Sequence, residues 1–321
     1  MPRNTLLTAF LSLAAGLCFA AEPYPTRPVK LIVPFAPASA TDVLGRLIAD
    51  RLARSLGQPF VVDNRPGAAG TIGTTSGAKA PADGYTLILA GSGPFGVNPA
   101  IYTKLAYDPV KDFAPIINLA HTPQVLITSA TGPYKSLKQF VDDARVPGRS
   151  LDYASIGPGS TSHLTGLLFQ SVAGLNMVHV PFKSNNDAQM QLMGGTVPVM
   201  FDAMPSVLGA IKSQRLRGLA VAAKERSPFA PDVPTFAESG YPDVVVTGWI
   251  GLVAPAGTPE PVLDKLNAEL NRALREPEVV EKLREVAFTA SGGTRADFVT
   301  YIQSEIARWS KLAKATKLQL D

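Results

Sequence analysis

From Pro28 onward, short apolar runs alternate with segments whose apolar residues recur every three or four positions. The first are buried strands and the second amphipathic helices. Leu31-Ile32-Val33 is a strand, and Val43, Leu44, Leu47, Ile48, Leu52 and Leu56 mark one helix face, with Gly57 as its stop. Between them runs a loop of small residues, Pro34 to Ala40, and Thr41 or Asp42 is placed to cap the helix. The pattern repeats. Phe60–Val62 leads through Asp63–Gly70 into a helix over 71–80, and Tyr85–Ala90 leads into Gly91–Pro99, where Pro94 and Pro99 argue against a helix from the second glycine. Phe113–Leu119 and Gln124–Thr128 read as two strands bracketing His121-Thr122-Pro123. Leu151–Ser155 then leads through Ile156–His163 into a helix ending at Val172, with Ser160 as cap. Strands follow at Met177–Pro181, Val197–Phe201 (ending at Asp202) and Leu216–Ala222, with helices at 187–193 and 206–212. An extended apolar run, Val244–Pro255, precedes three helices: one from the Thr258 cap to Arg275, one ending at Val286, and one over 295–315.

This alternation predicts an α/β fold with mostly parallel sheets, in which the loops after the strands share one edge, where ligands bind. Two such units joined by two crossings predict two lobes around a cleft, closing by hinge motion. Lobe 1 is expected to comprise residues 21–122 and 247–321, and lobe 2 residues 123–246. Loops of Gly, Ala and Ser let a ligand approach the backbone, and the N–H groups and dipole of a helix start favour an anion.

The 321 residues are 46% apolar and 17% charged, enough for sizeable cores. Arg3, the apolar stretch Leu6–Phe19 and the small residues at Cys18 and Ala20 read as a signal peptide cleaved after Ala20, which makes the chain periplasmic. Cys18 is the single cysteine, so the mature chain holds no disulfide and no thiolate metal site. Without residues 1–20, which carry Arg3 and no acid, the net charge falls from +4 to +3. There is no Lys/Arg cluster with interleaved aromatics, so no nucleic-acid partner is expected. His121, His163 and His179 lack ligand spacing, so no metal and no cofactor are expected. Gly91 to Gly96 fits G-x-G-x-x-G but lacks the βαβ context of a dinucleotide site. Ser160, His163 and Asp202 nominally compose a hydrolase triad, yet no G-x-S-x-G elbow is present.

Several stretches together resemble the Bug family of periplasmic solute-binding receptors of tripartite tricarboxylate-type transporters. They are Tyr24 to Phe35, Thr41-Asp42 with Arg46, Asn64 to Gly70, Asp83 to Leu87, and Asn98-Pro99 before Tyr102. In the second unit they are Gly157 to Leu164, His179 to Lys183, Phe201-Asp202, Gly248-Trp249 and Gly251 to Pro259. The resemblance implies a type II periplasmic-binding fold of two α/β lobes and a non-enzymatic, monomeric receptor. It further implies a small organic carboxylate in the cleft and a membrane permease as partner. One carboxylate would be held by backbone groups of first-lobe loops containing Phe35, Ala38, Ser39, Thr41, Asp42, Ala69 and Ser92. Specificity would come from Ser155, Gly157, Ser160, Thr161, His163 and Asp202. Ala38-Ser39 stands where the family often has Gly-Gly, which narrows the backbone angles but adds a hydroxyl. Two alternatives stand beside this expectation: a secreted serine hydrolase, and a receptor whose liganded form signals to a sensor kinase.

Overall fold

The computed structural model describes residues 24–37 and 39–319. The signal-peptide reading and Ala38 therefore lie outside the described residues. In chain order come β1 (Val29–Val33), α1 (Ala40–Leu56), β2 (Phe60–Asn64), α2 (Thr71–Ala78), β3 (Thr86–Gly91) and α3 (Asn98–Ile101). The long strand β4 (Phe113–Ser129) follows, then α4 (Leu137–Ala144), β5 (Leu151–Ser155), α5 (Thr161–Ala173), β6 (Met177–Pro181) and α6 (Asn185–Met193). Next are β7 (Val199–Ala203), α7 (Met204–Lys212), β8 (Leu216–Val221) and β9 (Thr247–Pro255). The chain closes with α8 (Glu260–Ala273), α9 (Pro277–Glu285), β10 (Thr289–Ala290) and α10 (Arg295–Thr316).

The strands run in the order β2-β1-β3-β9-β4-β7-β5-β6, with β8 and β10 also paired to β4. Each lobe has a parallel triplet, β2-β1-β3 and β7-β5-β6, while every pairing of β4 and β9 is antiparallel. The sheets are thus parallel where the loops matter and antiparallel at the centre, a mixed arrangement where the sequence suggests a mostly parallel one. Strands β1 and β3 are apolar and buried along almost their whole length, as strands covered on both faces must be.

The two strands expected around His121-Thr122-Pro123 are one. Strand β4 pairs with β9 through Pro123, opposite Thr247, and from Gln124 onward with β7 and β8. The proline marks the change of partner rather than the end of the strand.

One core gathers Leu31, Leu44, Ile48, Leu89, Ile117 and Leu266 around the first half of the sheet. A second gathers Leu126, Tyr153, Phe169, Phe201 and Phe236 around the other half. A fully buried Leu, Ile or Phe contributes about 1.5–3 kcal/mol, so these faces fix the layers. Among the described residues no helix is long and apolar enough to cross a membrane.

Candidate functional site

The first-lobe edge is assembled by three turns at the ends of β1, β2 and β3. Helix α1 begins at Ala40 and its cap is Ser39, whose hydroxyl accepts from the Asp42 N–H at 3.2 Å. The expected caps, Thr41 and Asp42, lie inside the first turn, because Ser39 already supplies the oxygen. Ser39 has ordinary extended angles (φ −66°, ψ 158°), so a side chain is no strain there. Thr41 is half-buried in the first turn. Asp42 is 2% exposed, and its carboxylate accepts from Asn64 Nδ2 at 2.9 Å and Arg46 Nε at 3.0 Å.

The turn after β2 has an unusual backbone. Gly67, Ala68, Ala69 and Gly70 are consecutive and have φ of 126°, 46°, 51° and 88°. An L-residue in the left-handed region costs about 1–2 kcal/mol, and two in succession persist only where packing dictates them. Here it does. A Cβ on Gly67 would lie 2.6 Å from Ile72 Cδ1, and one on Gly70 would lie 2.8 Å from Pro94 Cγ and 3.4 Å from Phe35 Cζ. The three turns therefore meet at Phe35, Gly70 and Pro94. The N–H groups of Ala68 and Ala69 have no backbone acceptor among the described residues. Successive N–H groups in such a turn form a concavity suited to an anion.

Ser92 is buried and committed elsewhere: its hydroxyl accepts from Trp249 N at 2.8 Å and reaches Trp249 O at 3.4 Å. It ties the third turn to β9 and is not a free donor. Beyond it, Gly93–Val97 forms a wide helical turn running directly into α3. The expectation of no helix here fails because Pro94 and Pro99 both occupy the first turns of their segments, where no N–H is required.

The second-lobe edge is the turn from β5 to α5 with the ends of β6 and β7. Ser160 caps α5 by accepting from His163 N at 3.2 Å and donates to Gly157 O at 2.7 Å. Gly157, with φ +111°, needs to be glycine. Buried Ser155 accepts from Gly157 N at 3.1 Å and lies 2.6 Å from His179 Nε2. The His163 and His179 rings stack at 3.8 Å. Burial pushes their pKa values down to about 3 and about 4, the neighbouring His179 adding to the effect on His163. Both rings are neutral at physiological pH. His163 Nδ1 accepts from Gly159 N at 3.2 Å, so the proton sits on Nε2, a donor with no protein partner among the described residues. The half-buried Thr161 hydroxyl likewise has no protein partner among the described residues.

Asp202, next to last in β7, is fully buried. Both its oxygens accept from Asn185 Nδ2 at 2.7 Å, and Oδ1 also accepts from Ala203 N at 2.8 Å. Burial raises its pKa to about 6 despite these bonds. Ser160, His163 and Asp202 are not a hydrolytic relay, since Ser160 bonds the backbone of His163 and Asp202 bonds neither.

Both edges are tied to β4. Trp249, held by Ser92, pairs with His121 of β4, and Asp202 pairs with Val125 of the same strand. Four residues of strand separate those registers by about 13 Å, the span of a small ligand. Asn64, His179 and Asn185 were missed as site-building residues. Asn64 is visible as the last residue of an apolar strand before a Pro-Gly turn. His179 and Asn185 act only through contacts distant in sequence.

Residues 44–318 match the family described as Tripartite tricarboxylate transporter family receptor. Protein BugT of Bordetella pertussis is 38% identical over 306 residues, covering 94% of this chain and 92% of that protein. A solved Rhodopseudomonas palustris protein with adipate is 36% identical at a TM-score of 0.86, covering 92% of this chain and 99% of that one. MatC from Rhodopseudomonas palustris with bound malate is also 36% identical, at a TM-score of 0.81, with 90% and 99% covered.

Proposed function

The chain belongs to the tripartite tricarboxylate transporter receptor family, and from that premise we propose that its two loop edges capture a small organic carboxylate for delivery to a membrane permease. It is a Bug-type periplasmic receptor, of a family of solute-binding receptors rather than enzymes. The observation that carries the site is the left-handed turn Gly67–Gly70, wedged against Phe35 and Pro94, in which the N–H groups of Ala68 and Ala69 have no backbone acceptor among the described residues. In this reading those groups and the start of α1 hold one carboxylate. The Thr161 hydroxyl and the His163 Nε2–H address the rest of the molecule from the second lobe. The ligand makes contacts with both lobes only when they close, and that difference draws the equilibrium toward the closed state. The change of partner along β4 after Pro123 and the start of β9 at Thr247 support boundaries at 122/123 and 246/247. The receptor acts as a monomer, after cleavage behind Ala20.

The acids carried by the two solved relatives, adipate and malate, are the first probes. Calorimetry on the mature protein should show binding of at least one acid and none of its primary diamide. The diamide keeps the shape and removes the charge. Equal affinity for acid and diamide refutes the anion cradle.

A further inference from the structure

The first turn of the cradle is tied by the Ser39 N–H bond to the Ala36 carbonyl at 3.3 Å, and backbone groups can hold an anion only where their positions are fixed beforehand. One side chain is placed to fix them. Asn64, the last residue of β2, donates from Nδ2 to the Phe35 carbonyl at 3.1 Å and to Asp42 Oδ1 at 2.9 Å. Its Oδ1 accepts from Arg46 Nη2 at 3.2 Å, and Arg46 Nε closes the ring on Asp42 Oδ2 at 3.0 Å. Phe35 lies at the entrance of the loop and Asp42 in the first turn of α1, so a single amide grips the loop on both sides. The same residue begins the segment leading to Gly67–Gly70, and Arg65 N bonds Val33 O at 2.8 Å beside it. The side-chain amide supplies both donations with no net charge. A lysine would add a cation beside the cradle, and an aspartate would meet Asp42 as a like charge.

We infer that Asn64 is the positioning residue of the carboxylate cradle: it touches no ligand, and it sets affinity by holding the β1–α1 loop and the α1 N-terminus in one arrangement. The inference rests on the functional reading above, and its test separates the two. Asn267 is the matched control. Its Nδ2 likewise makes two donations, here to the carbonyls of Ile116 at 2.8 Å and Gly293 at 3.0 Å, and none of these belongs to the loops of either lobe edge.

The mature proteins carrying Asn64→Ala, Asn64→Asp and Asn267→Ala are compared with wild type by amide hydrogen exchange over residues 35–44 and by calorimetry with adipate and malate. Both Asn64 variants should speed exchange in that segment and weaken the acid by about tenfold, the weight of one to two lost hydrogen bonds. Asn267→Ala should lower the melting temperature and leave exchange over 35–44 and acid affinity at wild-type values. Unchanged exchange over 35–44 in Asn64→Asp overturns the inference. So does an affinity loss no greater than that of Asn267→Ala. A wild-type protein that binds neither acid refutes the choice of ligand alone, and the exchange comparison still decides whether Asn64 holds the loop.

Discussion

Gly70→Ala tests the geometry of the cradle most directly, because its effect can be built from separate parts. The residue has φ 88° and ψ −4°. An alanine there meets the left-handed penalty of about 1–2 kcal/mol. Its Cβ also lies 2.8 Å from Pro94 Cγ and 3.6 Å from Pro34 Cβ. Pro94 cannot withdraw freely, since its carbonyl is held by the Tyr107 hydroxyl at 2.6 Å. Overpacking of this kind costs about 1–3 kcal/mol. Reduced unfolded-state entropy returns about 0.4–1 kcal/mol, so the net loss is about 2–4 kcal/mol. Gly57→Ala isolates the first part: Gly57 has φ 73°, ends α1, and a Cβ there meets nothing within 4 Å. It should lose about 1 kcal/mol or less by the same reckoning. Urea unfolding gives both values, and calorimetry with adipate and malate gives their effect on binding. Only Gly70→Ala should weaken the acid, since it pushes the second turn away from the third. Equal stabilities for the two variants, or an unaltered affinity in Gly70→Ala, would refute the wedge of Phe35, Gly70 and Pro94.

Thr161→Ala removes a hydroxyl with no protein partner among the described residues, so stability should stay within about 0.5 kcal/mol while acid binding weakens by about 1 kcal/mol; unchanged affinity removes Thr161 from the site. Asp202, raised to about 6, is favoured in its protonated form by the fold, so its contribution is complete below about pH 4 and lost as pH rises toward 6. Two pH units at 1.36 kcal/mol each make this about 3 kcal/mol, so wild type should gain on Asp202→Asn by that order on acidification from pH 6.5 to 4, and parallel stability curves would contradict it. His163 and His179 are lowered, so their contribution is complete above about pH 6.5 and lost as pH falls toward 4. Their imidazole proton resonances should accordingly not titrate between pH 5.5 and 8, and a midpoint near 6.5 would show a solvated ring. Arg46 is paired with Asp42 and Arg65 with Asp63. Attraction by fixed backbone dipoles should therefore leave acid affinity within about threefold between 0.05 and 0.5 M salt, and a steep fall would reveal an unpaired cation in the cleft.

What was legible in the chain is what neighbours in sequence decide. The strands ending at Val33, Asn64, Gly91 and Ser155 declare themselves by apolar runs stopping at small residues. Ser136 and Ser160 cap their helices by bonds that span three residues. The same local rule failed where two oxygens competed for one helix start. Ser39 outranks Thr41 and Asp42 at α1. At α8, Thr258 donates instead to the Pro255 carbonyl at 2.8 Å, and Pro259 takes the position before the helix. The site residues divide along the same line. The turn residues Phe35, Ala69, Gly157 and Thr161 show in the composition of their loops. The bond from Asn64 to Phe35 and the stack of His163 on His179 join residues 29 and 16 positions apart, and no periodicity records them.

The last helix shows how far that limit reaches. Its amphipathic stripe announces a buried face without saying what buries it. In the fold, Phe298 and Ile302 pack with Ile32, Phe95 and Trp249, whereas Trp309 and Ala313 share a core with Tyr153, Phe169 and Phe201. Helix α10 thus leaves the first lobe and lies against the second, and Arg308 donates to the Val245 carbonyl just ahead of β9. Val97 and Ile101 join the same second core from the third turn of the cradle. On the two-lobe reading, closure cannot be a free swing on two strands. On that reading the chain must bend where β4 changes partner after Pro123 and where β9 begins at Thr247, while the Trp309 end of α10 keeps or exchanges its partners. The third turn of the cradle packs on that same end: a Cβ on Gly96 would stand 3.4 Å from Trp309 Cδ1. In the proposed function, the third turn of the cradle and the Trp309 end of α10 are one packed unit, so an anion that orders the cradle should also bias closure.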